Sequence, residues 1–284
     1  MRRTRHGRYR RCRGDQPGLG ECARRWWPLV AGALALSGFI LGEYLGVPHE
    51  SGAAAAPRPV AAPPVPQERP MSSYTTRFQP GEPRVRNIEI AARILDGRVV
   101  RPDETFSFNE AVGPRTKRRG YVAAPAILGS RLVNDVGGGI CQVSTTLFNA
   151  VFQAGLAIQS ARAHTMYMPE YPLGREAAVA YPDLDFTWRN DSGRPVVVRV
   201  GYTASSLTVS LWGRRRYDVR SRSSDRYGFE RHGAAVGRGR GCVPMTGRKG
   251  FKIDVWRTLL DGGRRVRRER FHTEYGPQPK VTCD

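Results

Sequence analysis

Lysine is scarce in this chain of 284 residues: four of its 46 cations are lysine and 42 are arginine. No lysine accompanies the glycine run at Gly137-Gly138-Gly139, which excludes a phosphate-binding loop of the usual kind. Cysteine is also sparse, at five, and no two cysteines stand in a Cys-x-x-Cys pair, so a structural zinc site is not expected. Acids are outnumbered 25 to 46, giving a net charge of +21. Such a surface attracts polyanions: nucleic acid, anionic lipid or wall polymers. Zinc-finger spacing, an aromatic RNA-binding strand and a recognition helix are all missing, so no specific nucleic-acid partner is expected. No metal or organic cofactor is called for. Forty per cent hydrophobic residues is enough for a real core.

The charge is unevenly placed. Residues 1–25 form a leader with nine arginines. Trp26-Trp27-Pro28 and the apolar run from Leu29 then reach Val47, about the 20 residues that a bilayer-spanning helix needs. Arginines on the N-terminal side alone predict a single-pass cell-membrane protein with its N-terminus in the cytoplasm and its main domain outside. A cleaved signal with a small-residue site in 51–56 is the rival, and it exports the same domain. Residues 48–71 are rich in alanine and proline, the composition of an extended spacer.

The expected fold is α+β: one main buried helix packed on an antiparallel sheet, with a small β-rich C-terminal extension. The main domain spans 72–213. Arg86–Leu95 reads as a helix capped by Asn87, and Val143–Ala154 as the central helix, ended by Gly155. Pro195–Tyr202 and Ser206–Trp212 read as strands, and Phe251–Thr258 with Arg265–Tyr275 as a hairpin. Arg214–Gly241 has few apolar residues and reads as a loop or connector within the 214–284 extension. Exported, Cys242 and Cys283 can form a disulfide; two separate buried thiols are the alternative.

Chemistry concentrates where the three glycines meet the central helix. A cysteine at a helix start, here Cys141, faces unpaired N–H groups that lower a thiol pKa and can hold an oxyanion. His164 follows, then Asp183 and Asp185. That order suits a thiol nucleophile, a base that becomes an acid, and an orienting carboxylate, as in transglutaminase-like enzymes. Gln142 is a candidate oxyanion donor. Gly137, Gly138, Gly139, Ser144 and Asn109 are candidate substrate-binding positions. Arg175 can fork onto a carboxylate. Buried packing of a lone cysteine is the competing reading.

From about Arg86 to Gly213 the sequence resembles the VanW family, named from a vancomycin-resistance gene cluster. The resemblance rests on Asn87-Ile88, Phe106-Ser107-Phe108-Asn109, Gly120-Tyr121, the run Gly137–Ala150, His164, Tyr167, Gly174-Arg175 and Asp183–Phe186. It departs at Glu176, where the family has aspartate, and at Ala178, where it has threonine. The resemblance implies a bacterial envelope protein tied to peptidoglycan or to the glycopeptide response. Three functions are then open: a cysteine-dependent amidase or transpeptidase of wall peptides, a non-catalytic binding module for them, or a tether gripping anionic wall polymers.

Overall fold

The computed structural model describes residues 70–128, 131–239, 242 and 244–284. The leader, the 26–47 apolar segment and nearly all of the Ala/Pro-rich stretch lie outside the described residues. Among the described residues, no helix is long and apolar enough to cross a membrane.

The chain opens with β1 (Pro70–Arg77), α1 (Pro83–Leu95), β2 (Val99–Val100), β3 (Thr105–Ser107), the short α2 (Phe108–Val112), β4 (Ala123–Leu128) and β5 (Arg131–Val136). It continues through α3 (Ile140–Ala154), β6 (Ala157–Ser160), β7 (Thr187–Arg189), β8 (Val196–Tyr202) and β9 (Ser206–Trp212). It ends with β10 (Asp218–Ser223), β11 (Tyr227–Glu230), β12 (Ala234–Gly237), β13 (Met245–Arg248), β14 (Gly250–Asp261), β15 (Arg264–Tyr275) and β16 (Gln278–Cys283). Strand outweighs helix throughout.

Everything is arranged around α3. Thirteen of its fifteen residues are buried, so it runs through the middle of the fold. The two exceptions are Gln153 and Cys141. One side of α3 packs on the sheet ordered β1-β9-β8-β2. There β9 alternates in period two: Leu207, Val209 and Leu211 are fully buried and the residues between them are not. The apolar flank of α3 supplies Val143, Leu147, Phe148, Val151 and Phe152 to a single core.

Part of the C-terminal sheet joins that core through Val219, Val255 and Phe271, while Phe251, Ile253 and Tyr275 form a second cluster. β14 pairs with β10 and β11 on one edge and β15 on the other. Phe271 of β15 meets Phe152 at 5.4 Å and Phe148 at 6.1 Å. Arg257 of β14, fully buried, donates to the Phe152 and Leu156 carbonyls at 3.2 and 3.0 Å and pairs with Glu269 at 2.5 Å. A cation at the C-terminal end of α3 answers the negative end of its dipole.

Several expectations need correction. The first helix starts at Pro83, a residue suited to a first helical position, and Asn87 is no cap. Asn87 lies buried within the helix, donates to the Val122 and Gly138 carbonyls, and accepts from the Val122 N–H. β1 begins at Pro70, ahead of Ser72: it pairs with β9, and Met71 is buried. The stretch read as a connector holds β10, β11 and β12. Backbone pairing to β14 and β16 builds these strands, and their apolar content is low because their outer faces are exposed. The β12–β16 pair is parallel, an exception to the antiparallel plan. Cys242 and Cys283 are joined as a disulfide.

Candidate functional site: a thiol, an imidazole and a buried carboxylate

The turn before α3 requires glycine for two different reasons. Gly137 and Gly139 have φ of +93° and +97°, the left-handed region that other residues rarely adopt. Gly138 has an ordinary φ, but a Cβ there would lie 2.3 Å from the Ala124 carbonyl oxygen and 2.6 Å from that of Pro125. The turn is thereby pressed against β4. The Ile140 and Gln142 N–H groups are tied back to Gly137 and Gly139, at 3.2 and 3.0 Å. Cys141 stands between them, half-buried, at the positive end of the helix.

Along α3, Cys141, Ser144, Thr145 and Asn149 recur at helical spacing and form one stripe. This stripe holds the extended segment 175–179 against the helix. Asn149 donates to the Arg175 carbonyl at 2.9 Å, Thr145 Oγ1 accepts from the Ala177 N–H at 3.2 Å, and Ser144 donates to the Ala177 carbonyl. At its end the Val179 N–H lies 3.5 Å from Cys141 Sγ. Held this way, the segment delivers Glu176 to His164.

The centre itself is a chain of hydrogen bonds. Cys141 Sγ lies 3.5 Å from both the carbonyl oxygen and the amide nitrogen of Val179, and the His164 ring acts on the sulfur through its charge and hydrogen-bonding capacity. His164 Nδ1 meets Glu176 Oε2 at 2.5 Å. Glu176 Oε1 accepts from the Tyr275 hydroxyl at 2.5 Å, and that hydroxyl accepts from the Gly174 N–H at 3.0 Å. The side chains of His164 and Glu176 are 5% and 0% exposed, so their interaction is little screened by water. Tyr171 stacks on the imidazole, with centroids 5.5 Å apart and planes at 16°.

Burial by itself would raise the Cys141 thiol. The hydrogen bond and charge of His164, the Val179 contact and the charge of Arg115 outweigh it, and the thiol sits below its ordinary value. Burial likewise opposes a charged imidazole, but Cys141 and Glu176 lift His164 to about 10. Both shifts favour a thiolate beside an imidazolium. The arrangement can present a sulfur nucleophile, with its proton stored on His164 for a leaving group.

The structure brings Cys141 and His164 together and leaves Asp183 and Asp185 elsewhere. Asp185 accepts from Ser107 Oγ at 2.5 Å and from the Asn109 and Phe186 N–H groups, both at 2.8 Å, so it is committed to the start of α2. Asp183 is exposed. The carboxylate on the imidazole is Glu176. Gln142 is also corrected: its amide nitrogen donates to Thr76 Oγ1 and the Arg77 carbonyl, both at 3.0 Å, and its oxygen accepts from Arg84 at 2.5 Å. It fastens β1 to α3 and has no donor to spare.

The expected substrate-binding positions are largely committed to the fold. Ser144 bonds the Cys141 and Ala177 carbonyls. Asn109 donates to the Ala180, Pro182 and Leu184 carbonyls and accepts from Arg115 at 2.8 Å. The Arg175 guanidinium lies over Phe152 and Tyr74, at 5.5 and 6.0 Å from the ring centres. Gly138 is buried packing, whereas Gly137 and Gly139 shape the turn. Sequence reasoning missed Tyr275, whose only signal was a late aromatic on a strand. It passed over Glu176, which was visible as an acid in the Gly-Arg-Glu run. Among the described residues, no group of three or more His, Cys, Asp or Glu is arranged to hold a metal.

A family model described as "VanW like protein" matches residues 83–212. Residues 83–212 are thus similar to VanW-like proteins. Cys141, His164 and Glu176 lie within that match, and Tyr275 lies beyond it. The chain is 43% identical over 143 residues to "Uncharacterized protein YoaR" of Bacillus subtilis (strain 168), covering 50% of this chain and 47% of that protein. It is 30% identical over 118 residues to "Vancomycin B-type resistance protein VanW" of Enterococcus faecalis (strain ATCC 700802 / V583), covering 39% of this chain and 42% of that protein. The chain thus spans less than half the length of either relative. No solved structure matches. The matched region does not stand alone here: β1, β14 and β15, all outside the match, complete its core and its thiol centre.

Proposed function

We propose that this VanW-like protein is a cysteine-dependent acyl-transfer enzyme acting on amide bonds of cell-wall peptides in the bacterial envelope. The Cys141–His164–Glu176 chain at the start of α3 carries the proposal. In the reaction, the Cys141 thiolate attacks the amide carbonyl carbon. The imidazolium of His164 then gives its proton to the leaving amine as the carbon–nitrogen bond breaks, leaving a thioester on Cys141. Water, or a second amine, loses a proton to His164 and attacks the thioester. The acid is released in the first case and a new amide in the second; Cys141 returns as thiolate and His164 as imidazolium. Glu176 keeps the ring oriented and its charge compensated.

Support for the envelope setting comes from three sources. The disulfide Cys242–Cys283 suits an oxidising compartment. The apolar segment 26–47, following an arginine-rich leader, is suited to carry the domain across a membrane and to hold it there. The relative from Enterococcus faecalis is named for vancomycin resistance, and a role in the response to wall-directed antibiotics fits the same site.

The test is a pair of measurements on purified protein. A thiol alkylating probe should label Cys141 at pH values where an ordinary thiol is unreactive. Wall muropeptides incubated with the protein should be cleaved or cross-linked, with the change read by mass spectrometry, and Cys141→Ala should abolish that change while keeping its melting temperature. Intact muropeptides with the wild-type protein, or turnover that survives in Cys141→Ala, would remove the enzymatic reading.

A further inference from the structure

The arginine excess is not spread evenly over the C-terminal sheet. On the face of β14 turned away from α3 stand Trp256 and Thr258, since Val255, Arg257 and Leu259 between and beside them point into the core. Register places Arg222 of β10 and Arg270 of β15 on either side of Trp256. One step along, Arg220 and Arg268 flank Thr258. The Arg268 guanidinium lies over the Trp256 ring at 5.5 Å. All four arginines are exposed.

Their charges are not equally balanced. Arg270 is held by Asp254 in a two-pronged contact of 2.8 and 2.9 Å, and His272 shares the same carboxylate. Lys252 on this face is met by Glu274 at 3.2 Å. Asp218, at the end of β10, pairs with Arg215 at 3.4 Å. Arg220, Arg222 and Arg268 have no ion pair among the described residues.

Spacing adds a second constraint. Same-face residues two apart on a strand are separated by about 7 Å, and next-nearest strands by about 10 Å. Arg220 and Arg222 therefore form a row along β10, and Arg268 of β15 faces them with its guanidinium over the Trp256 ring between. Such a track fits a linear anion with charges repeating at a few ångströms. Guanidinium groups bind phosphate oxygens well, and the Trp256 ring holds the Arg268 guanidinium in place on this face.

We propose that this outer face of the β10–β14–β15 sheet is a docking surface for a linear polyol-phosphate polymer outside the cytoplasm. The disulfide Cys242–Cys283, in the same C-terminal part of the chain, favours an extracytoplasmic polymer over a nucleic acid. This surface is independent of the thiol centre, which lies on the other side of β14.

The experiment measures binding of purified full-length protein to poly(glycerol phosphate) chains over a range of salt concentration. The triple variant Arg220→Gln, Arg222→Gln, Arg268→Gln should bind about tenfold more weakly with a shallower salt dependence. The corresponding lysine variant should keep most of the affinity. A charge-matched control, Arg214→Gln, Arg215→Gln, Arg216→Gln, should lose much less. Alkylation of Cys141 should be unchanged in all three, which shows that the fold is intact and keeps this test separate from that of the thiol chemistry. Equal losses in the two glutamine triples would overturn the docking face in favour of net charge alone. Tighter binding to a single-stranded oligonucleotide of equal charge would overturn the assignment of the partner, and no binding to the polymer would overturn the whole inference.

Discussion

Replacing Glu176 by glutamine isolates the part of the site that sequence order does not reveal. The substitution keeps size and shape but removes a charge enclosed between His164 and Tyr275. A hydrogen bond to a charged group contributes about 1.5–3 kcal/mol. The exposures of 5% and 0% for the two side chains mean that little of this is lost to solvent screening. One pKa unit corresponds to about 1.36 kcal/mol. Without the carboxylate, the imidazolium should therefore be destabilised by about 1–2 pKa units, moving His164 down from about 10. Its partner thiol must move up, because the imidazolium is what holds it below its ordinary value. The assay is the rate of iodoacetamide alkylation of Cys141 against pH, followed by intact mass. Glu176→Gln should shift the midpoint upward. Asp185→Asn is the control: its carboxylate holds Ser107 and Asn109 at the start of α2, so it should lower the melting temperature and leave the midpoint in place. A midpoint shared by Glu176→Gln and the wild type, with both folded by circular dichroism, would falsify the assignment.

Other outcomes follow from the same geometry. In the wild type, alkylation should already be fast below pH 8, and amide turnover should decline as pH rises through about 10, where His164 loses the proton needed by the leaving group. Tyr275→Phe removes the donor to Glu176 Oε1 and should cost about 1–3 kcal/mol in chemical denaturation while slowing alkylation; an unchanged rate would make the tyrosine purely structural. Gly138→Ala cannot be accommodated without moving β4 or the turn, so it should reduce both stability and Cys141 reactivity, unlike Gly262→Ala, where a Cβ meets nothing and only the positive φ is strained. Reduction of Cys242–Cys283, which closes a separation of 41 residues, should lower stability by about 3–4 kcal/mol, read as a drop in the denaturation midpoint of the C-terminal strands.

Much of the local structure was legible because it depends on local physics. The period-two burial of β9, the left-handed Gly155 that ends α3, and the glycine turn that delivers a cysteine to a helix start are consequences of neighbouring residues. The order Cys141 then His164 also named two members of the centre. The third member was misread, because Asp183, Asp185 and Glu176 are equally plausible in sequence. Glu176 stood as a departure from a family aspartate, although either residue supplies a carboxylate. Ser144, Asn109 and Gln142 looked like groups awaiting a substrate; they are buried, and buried polar groups find partners within the fold.

The sequence by itself determined the charge balance, the candidate membrane segment, the elements of the central domain and the place where a reactive thiol would stand. Tertiary structure alone decided which carboxylate meets the imidazole and that Tyr275, 134 positions after Cys141, stands behind it. It also decided that part of the C-terminal sheet joins the core. The physical reason is range: helix caps, turns and strand alternation act over a few residues, whereas a buried hydrogen-bond chain is assembled by segments that meet only when α3 is packed on all sides.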